Sequence, residues 1–493
     1  MATNGYLPSL MFTILKTFPK YLFRSSHGGS LILWKENSNI VKYRKTLPKL
    51  KICRPDFKNI EKSLNIKTNA ELLRAIVVLY ICSFRLISVH SIFLMKATKF
   101  LLRERLFKYL MKSTIYGQFA GGETEDELEK VSLNLNKRGI NILLMLACED
   151  DLARISGRGK YHNKLLINLS GSLNCVKIAR KLCGHVIPMI HFKMTAFAPQ
   201  SLLVELGLRT QKVEDFRFYV FELLKLLNED NVKLEQTIFN SLTPSEQLFL
   251  SNAVGCLRKF GESAINEGVR LLVDAEYTML NRGIQLFTIA LMFKHNKAKP
   301  MVWNTHQCYL KTAFDTLLEE LDTVQGNNRC WGAKIVRGAY MESETKSAIS
   351  NKVPNPINES FEKTSEMYDR VVYHILNKIS KKENKYSLIA ATQNEQSILK
   401  VVDLMEKLDI NPTSKYVSFG QLYGVSDNVT YALGMSGYNV YKSVPYGLLM
   451  DVLPYLSRRA AENSSVLNNT SVERGLMAKE LKRRFLNPQN HQQ

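Results

Sequence analysis

The sequence predicts an α/β protein in which eight parallel strands alternate with helices and close into a TIM-like (β/α)8 barrel. Two observations carry that prediction. Eight short β-rich runs recur along the chain, separated by segments with helical spacing, which is the pattern of parallel β/α units. Each run also starts apolar and turns polar or charged near its end, as expected where strand C-termini build a site. The 493 residues, 45% of them hydrophobic, suffice for one such core with extensions.

The N-terminus comes first. Residues 1–35 contain no Asp or Glu; Lys16, Lys20 and Arg24 punctuate Met11, Phe12, Ile14, Leu15 and Phe18. That composition matches a mitochondrial transit peptide, so residues 1–40 are set apart from the fold. Residues 41–130 read as a basic linker followed by a helical arm. Within the arm, "AIVVLYICSFRLISVHSIFLM" (75–95) is the best membrane candidate, but Arg85 and His90 interrupt it. A span wants roughly 20 apolar residues, and a central Arg costs about 2.5–3.5 kcal/mol. The segment therefore reads as a buried or surface-lying helix. Thr124 with Glu127 three residues on forms a capping box, the start of the next helix.

The barrel is expected over 131–478, with a tail at 479–493. Its runs are "INILLMLA" (140–147), "VIPMIHFKMTAF" (186–197), "VRLLVDAEYT" (269–278) and "MVWNTHQCYL" (301–310). "WGAKIVRGAY" (331–340), "YSLIAATQN" (386–394), "YVSFGQLYG" (416–424) and "YNVYKSVPYG" (438–447) follow. The stretch 198–268 is long for one connection and should hold extra helices. Polar residues fall in or just past the later parts of the runs: Glu149, Lys193, Asp274, Gln307, Lys334, Arg337, Gln393, Gln421 and Ser443. Many strands end in polar residues simply on reaching solvent. Lys193 and Asp274 differ, because each interrupts an apolar run, and a buried charge needs a partner or a task. His191 and His306 read as satisfied core histidines.

"VLPYLSRRAAEN" (452–463) reads as a helix after the eighth strand, placed to cap the barrel mouth. Arg458 and Arg459 are adjacent there, with Tyr455 and Leu456 on the apolar side, and Pro454 is expected to start or kink the helix. Two guanidiniums side by side suit a carboxylate, which they grip through bidentate charged hydrogen bonds. Glu462 lies four residues after Arg458 and can pair with either arginine. A solvated Arg–Glu face is the plainer reading; the position over the mouth and the small Ala460 and Ala461 favour the anion site. In "AKIVRGAY", Lys334 and Arg337 near the strand end stand beside Gly338 and Ala339, where a flat ring can lie against the backbone.

Other chemistry is absent from the pattern. No GxGxxG or P-loop occurs, so a dinucleotide would be bound without a Rossmann unit. No HExxH, paired-histidine or acidic cation loop marks a metal. The net charge of +22 favours anions or acidic lipid, but no nucleic-acid-binding motif appears and the basic residues are dispersed. The eight cysteines show no CxxC and read as reduced, mostly buried thiols.

Six stretches in order, "YGQFAGGET", "FKMTA", "LLVDAEYT", "KIVRGAY", "FGQLYG" and "YLSRRAAEN", resemble the proline dehydrogenase family over roughly residues 69–475. That resemblance implies a distorted (β/α)8 barrel with FAD, an association with the mitochondrial inner membrane on its matrix side, and a quinone acceptor. It implies that Arg458, Arg459 and Lys193 hold the substrate carboxylate, with Tyr455 beside them, and that Asp274 lies beneath flavin and substrate. Lys334 matches the basic residue near the reactive flavin nitrogen; Gln307 and Arg337 match flavin contacts. Glu149 matches an acid that pairs with the arginines, and Glu462 belongs to the same signature. Gln393 departs from the family, standing in "ATQN" where a histidine is usual: it can donate a hydrogen bond but carries no charge. Ser443 stands where proline-specific members carry tyrosine, and with "VDAEYT" and "YGQF" it resembles the hydroxyproline dehydrogenase branch. The expected substrate is therefore trans-4-hydroxy-L-proline, with L-proline poorer. A proline-preferring dehydrogenase is the neighbouring alternative; an inactive membrane-associated binding homologue is the alternative from another class.

Overall fold

The computed structural model describes residues 52–59, 63–65, 67–146, 152, 158–182, 186–229, 234–462 and 470–486. The expected transit segment lies outside these. All eight expected strands form: β1 (Ile140–Leu146), β2 (Met189–Lys193), β3 (Arg270–Asp274), β4 (Val302–Gln307), β5 (Trp331–Val336), β6 (Tyr386–Ala391), β7 (Val417–Leu422) and β8 (Val440–Tyr446). They pair in parallel in sequence order, and β1 closes on β8 from Ile140↔Val440 to Leu146↔Tyr446. Parallel strands buried on both faces read as near-continuous apolar runs, which is why these segments carry so few charges.

Side chains alternate across each strand. One set, including Val273, Ile335, Leu388 and Phe419, joins the large core beneath the surrounding helices. The other fills the barrel: Leu143, Met189, Leu272, Trp303, Ile389 and Tyr441 form a buried inner cluster. A Cβ at Gly332 would sit 2.6 Å from the Trp303 indole, so glycine on β5 is what admits that ring. Arg270 plugs the layer below, its guanidinium 5.0 Å from the centre of Trp303; burial pushes it down to about 10.

The long connection after β2 holds the helices Gln200–Arg209, Val213–Asn228 and Pro244–Asn266, as its length implied. The capping box at Thr124 and Glu127 is present. The stretch 75–95 is divided among helices Asn69–Cys82, Arg85–Val89 and Ser91–Leu101, and no helix among the described residues is long and apolar enough to cross a membrane. The arm instead leaves a line of apolar side chains in water, with Leu86 76%, Phe93 69%, Phe100 90% and Tyr109 73% exposed.

Two expectations about the C-terminal part change. The mouth helix begins at Leu449, so of the two places expected for Pro454, a helix start or a kink, the start is excluded and the residue lies inside. The boundary expected at 478 also falls within an element: helix Ser471–Leu486 follows the mouth helix and packs on the arm. There Arg484 donates to the carbonyls of Leu64 and Lys67 and to Asn69, while Glu480 accepts from it at 2.8 Å.

Candidate active site

Alternation aims His191 and Lys193 of β2, Asp274 of β3, Lys334 of β5 and Ser443 of β8 at the barrel axis above the apolar inner cluster. Lys193 and Asp274 are register partners on neighbouring strands. Asp274 accepts from Lys334 Nζ at 2.5 Å on Oδ1, and its Oδ2 lies 2.8 Å from His191 Nδ1. Burial alone would raise the Asp274 carboxyl; its interactions with His191 and Lys334 outweigh it and hold the group well below the usual carboxylate range. His191 Nε2 is 2.9 Å from Ser443 Oγ. A hydrogen-bonded chain thus runs Lys334, Asp274, His191, Ser443 across the opening.

A second group stands over the rim. Lys193 Nζ donates to the Tyr340 phenol oxygen at 3.3 Å, and Arg459 Nη1 donates to the same oxygen at 3.2 Å. Two cations on one neutral oxygen repel each other. Glu276 offsets part of this, with Oε2 3.9 Å from Lys193 Nζ, but Thr195 Oγ1 also engages it at 2.9 Å. The Arg459 guanidinium lies 5.7 Å from the Tyr340 ring centre and 5.5 Å from that of Tyr455, which braces it in place. Arg458 precedes it on the mouth helix, half-buried. An anion entering between Arg459 and Lys193 would relieve the repulsion.

The third group lies past the ends of β4, β5 and β6. Gln307 donates to the Glu276 carbonyl at 3.0 Å and accepts from Asn281 at 2.7 Å, which ties it to the rim. Arg337 donates to Ser397 at 2.6 Å and Ser365 at 2.5 Å and stacks over Phe361 and Tyr368. Burial pushes its guanidinium down. Among the described residues no carboxylate forms a direct ion pair with it, though the Asp369 charge acts on it from further off. Gln393 accepts from Ser426 at 2.7 Å, which uses the amide oxygen and leaves the amide NH2 as donor. Gly338 is exposed, and a Cβ there would meet only the end of the Met341 side chain, at 3.4 Å. The chain's own packing does not require glycine at 338, and a planar ring has room against its backbone. Ala339 packs with Tyr309, Leu310 and Ala313. The donors and the cation fit a flavin dinucleotide in kind.

The structure thus brings Lys193, Asp274, Lys334, Ser443, Arg459, Tyr455 and Gln307 to one opening. Gln421 points elsewhere, to Thr392 and Thr430. Glu149 and the Glu462 side chain lie outside the described residues. His306 is the satisfied core histidine expected, 3.3 Å from Glu320. His191 is a correction: it is buried and bonded, but inside the site. Tyr340 and Glu276 were also missed. Period-two spacing from Lys193 signals His191, and both other residues sit within the quoted strand-end runs.

Comparison with known proteins places this geometry. A family profile described as proline dehydrogenase matches residues 196–472. Hydroxyproline dehydrogenase of Xenopus laevis is 36% identical over 422 residues, covering 86% of this chain and 89% of that one. Human hydroxyproline dehydrogenase is 33% identical, with 86% and 92% covered. The Caenorhabditis elegans protein named proline dehydrogenase 1, mitochondrial is 29% identical, with 87% and 88% covered. Among solved structures, proline utilization A from Bdellovibrio bacteriovorus, inactivated by N-propargylglycine, aligns with a TM-score of 0.57 at 17% identity. The alignment covers 90% of this chain and 42% of that one, and it supports the barrel fold alone.

Proposed function

The chain belongs to the proline dehydrogenase family, an oxidoreductase of the proline/hydroxyproline kind, and we propose that it is an FAD enzyme preferring trans-4-hydroxy-L-proline and passing electrons to a quinone. The observation that carries the proposal is the convergence of Arg459 and Lys193 on the Tyr340 phenol, a cationic pair ready for a small carboxylate.

In this reading Arg459, Arg458 and Lys193 grip the carboxylate of the cyclic amine, and Glu149 pairs with the arginines. Tyr455 and Tyr340 keep Arg459 directed at the opening. Fixing the carboxylate orients the ring, and orientation of this kind removes much of the entropic barrier. A flavin held here would supply a two-electron acceptor, so that loss of a hydride from the carbon next to nitrogen and of a proton from that nitrogen would turn their single bond into the C=N of a Δ1-pyrroline carboxylate. Gln307, Arg337, Gln393, Glu462 and the backbone at Gly338 and Ala339 would hold the cofactor. Lys334, anchored by Asp274, keeps a positive charge at the opening beside it.

Ser443 decides the substrate in this proposal. It leaves space beside the ring and offers a hydroxyl, where tyrosine would crowd a 4-substituent. Space alone is worth about 1–3 kcal/mol, and a matched polar group more. The two relatives named for hydroxyproline, at 36% and 33% identity, stand above the one named for proline, at 29%, and Ser443 favours the same substrate. The mitochondrial name of one relative and the acid-free N-terminus support a mitochondrial location. The exposed apolar line on the arm, interspersed with Lys96, Lys99, Arg103 and Lys108, supports peripheral contact with the matrix face of the inner membrane.

Anaerobic titration tests the proposal. The flavin absorbance should bleach with either substrate, at higher kcat/KM for hydroxyproline, and Ser443→Tyr should shift the ratio towards proline. A wild-type preference for proline defeats the substrate assignment; absence of bound flavin defeats the enzyme reading.

A further inference from the structure

Ser443 and His191 sit on β8 and β2, separated by β1, with Leu143 in register with both Ser443 and Met189. Their 2.9 Å contact therefore reaches across a strand. The direction of that bond follows from the next one. Asp274 is ionised, and a carboxylate only accepts, so the His191 nitrogen 2.8 Å from it, Nδ1, carries a proton. When the ring carries that proton alone, Nε2 holds a lone pair and accepts, Ser443 gives it the single hydroxyl proton, and lone pairs face the opening.

We propose that His191, singly protonated, locks Ser443 as a hydrogen-bond acceptor for the ring hydroxyl of the substrate, so that the His191–Ser443 pair sets the preference for a hydroxylated ring. This rests on the reading that Ser443 lines the substrate pocket. A serine turning freely could donate or accept and would serve water as well as substrate. Held by His191, its half-buried oxygen is matched only by an entering donor. A ring lacking the hydroxyl leaves that oxygen unpaired, which is how polar sites reject such analogues. His191 acts through Ser443 and is a positioning residue.

The test compares wild type, His191→Phe, His191→Asn, Ser443→Ala and the His191→Phe/Ser443→Ala pair. Two readouts are taken: the ratio of kcat/KM for trans-4-hydroxy-L-proline over L-proline, and calorimetric dissociation constants for tetrahydrofuran-2-carboxylate with and without a 4-hydroxyl. The ring ethers bind without turnover. Losing the bond between His191 and Asp274 lowers both substrates together and cancels in the ratio. Each single substitution should reduce both ratios about tenfold, as expected for one buried hydrogen bond. The double variant should fall no further than Ser443→Ala. Ratios within twofold of wild type in both flavin-loaded His191 variants overturn the inference, as does an additive double variant. Wild type that binds neither ether overturns this inference and the substrate reading together. Wild type that oxidises both substrates with a ratio indifferent to His191 overturns the pair's role alone.

Discussion

Lys442 Nζ stands 2.9 Å from Asp427 Oδ1, with the two side chains 1% and 3% exposed. Lys67 of the arm reaches the same carboxylate at 2.5 Å, and the Asp427 amide donates to Glu473 of the C-terminal helix at 3.0 Å. Asp427 therefore joins β8 and the arm through its carboxylate and the C-terminal helix through its amide. Removing one partner of such a cluster strands the others. Asp427→Asn should cost about 3–5 kcal/mol; a denaturation midpoint equal to wild type would show the cluster to be energetically idle.

Acid should weaken the protein in two windows. Burial would raise Asp427, but Lys442 and Lys67 outweigh it and bring it to about 2, below the roughly 3.9 of an unfolded aspartate. Its stabilisation is present above about pH 4 and lost as the pH falls to 2. Burial, helped by Lys294 and Lys297, lowers His295 to about 4 from an unfolded value near 6.5. That contribution is complete above about pH 6.5 and lost as the pH falls to 4. Urea midpoints recorded from pH 8 to 3 should decline below 6.5, and His295→Phe should flatten the upper part of that decline.

Neutralising the mouth helix should act on binding. Arg459→Gln and Arg458→Gln are expected to raise KM roughly tenfold to hundredfold, the loss of one charged hydrogen bond of about 1.5–3 kcal/mol. Arg459→Lys should recover little, because a lysine has no planar fork. Tyr340→Phe should raise KM less, since it loosens both cations without removing either. Steady-state kinetics with unaltered KM in the arginine variants would remove their role.

Lys334 bears on the proposed flavin instead. Lys334→Met should leave KM near wild type and make the bound flavin's midpoint potential about 30–60 mV more negative, or roughly 1.4–2.8 kcal/mol for two electrons. Spectroelectrochemical titration reads this directly; an unchanged potential places Lys334 with Asp274 as a purely structural pair.

The arm supplies the last test. Phe93→Asp with Phe100→Asp should abolish co-sedimentation with vesicles containing anionic lipid while leaving substrate reduction of the flavin intact. Wild type that stays in the supernatant at low salt would sink the membrane assignment.

The barrel was legible because its strands are buried on both faces, so runs such as "YSLIAATQN" stand out against amphipathic helices. Lys193 and Asp274 were legible for the converse reason, as charges within apolar runs. His191 was not: a histidine in such a run is usually satisfied by the core, and its partners Asp274 and Ser443 are 83 and 252 residues away. Tyr340 was hidden by chemistry, since a tyrosine at a strand end gives no sign that two cations share its oxygen. Helix Ser471–Leu486 was half-read because its packing partner lies some 400 residues earlier, as the Arg484–Asn69 separation of 415 shows.

Arg484 holding the carbonyls of Leu64 and Lys67 has a consequence for biosynthesis. A ribosome makes Asn69 of the arm 415 residues before Arg484, which seats it. The tunnel still covers Arg484 when the eighth strand emerges, so this contact forms only later. Nascent chains therefore carry an apolar arm without its clasp until Arg484 clears the tunnel, a period in which a holdase must shield it.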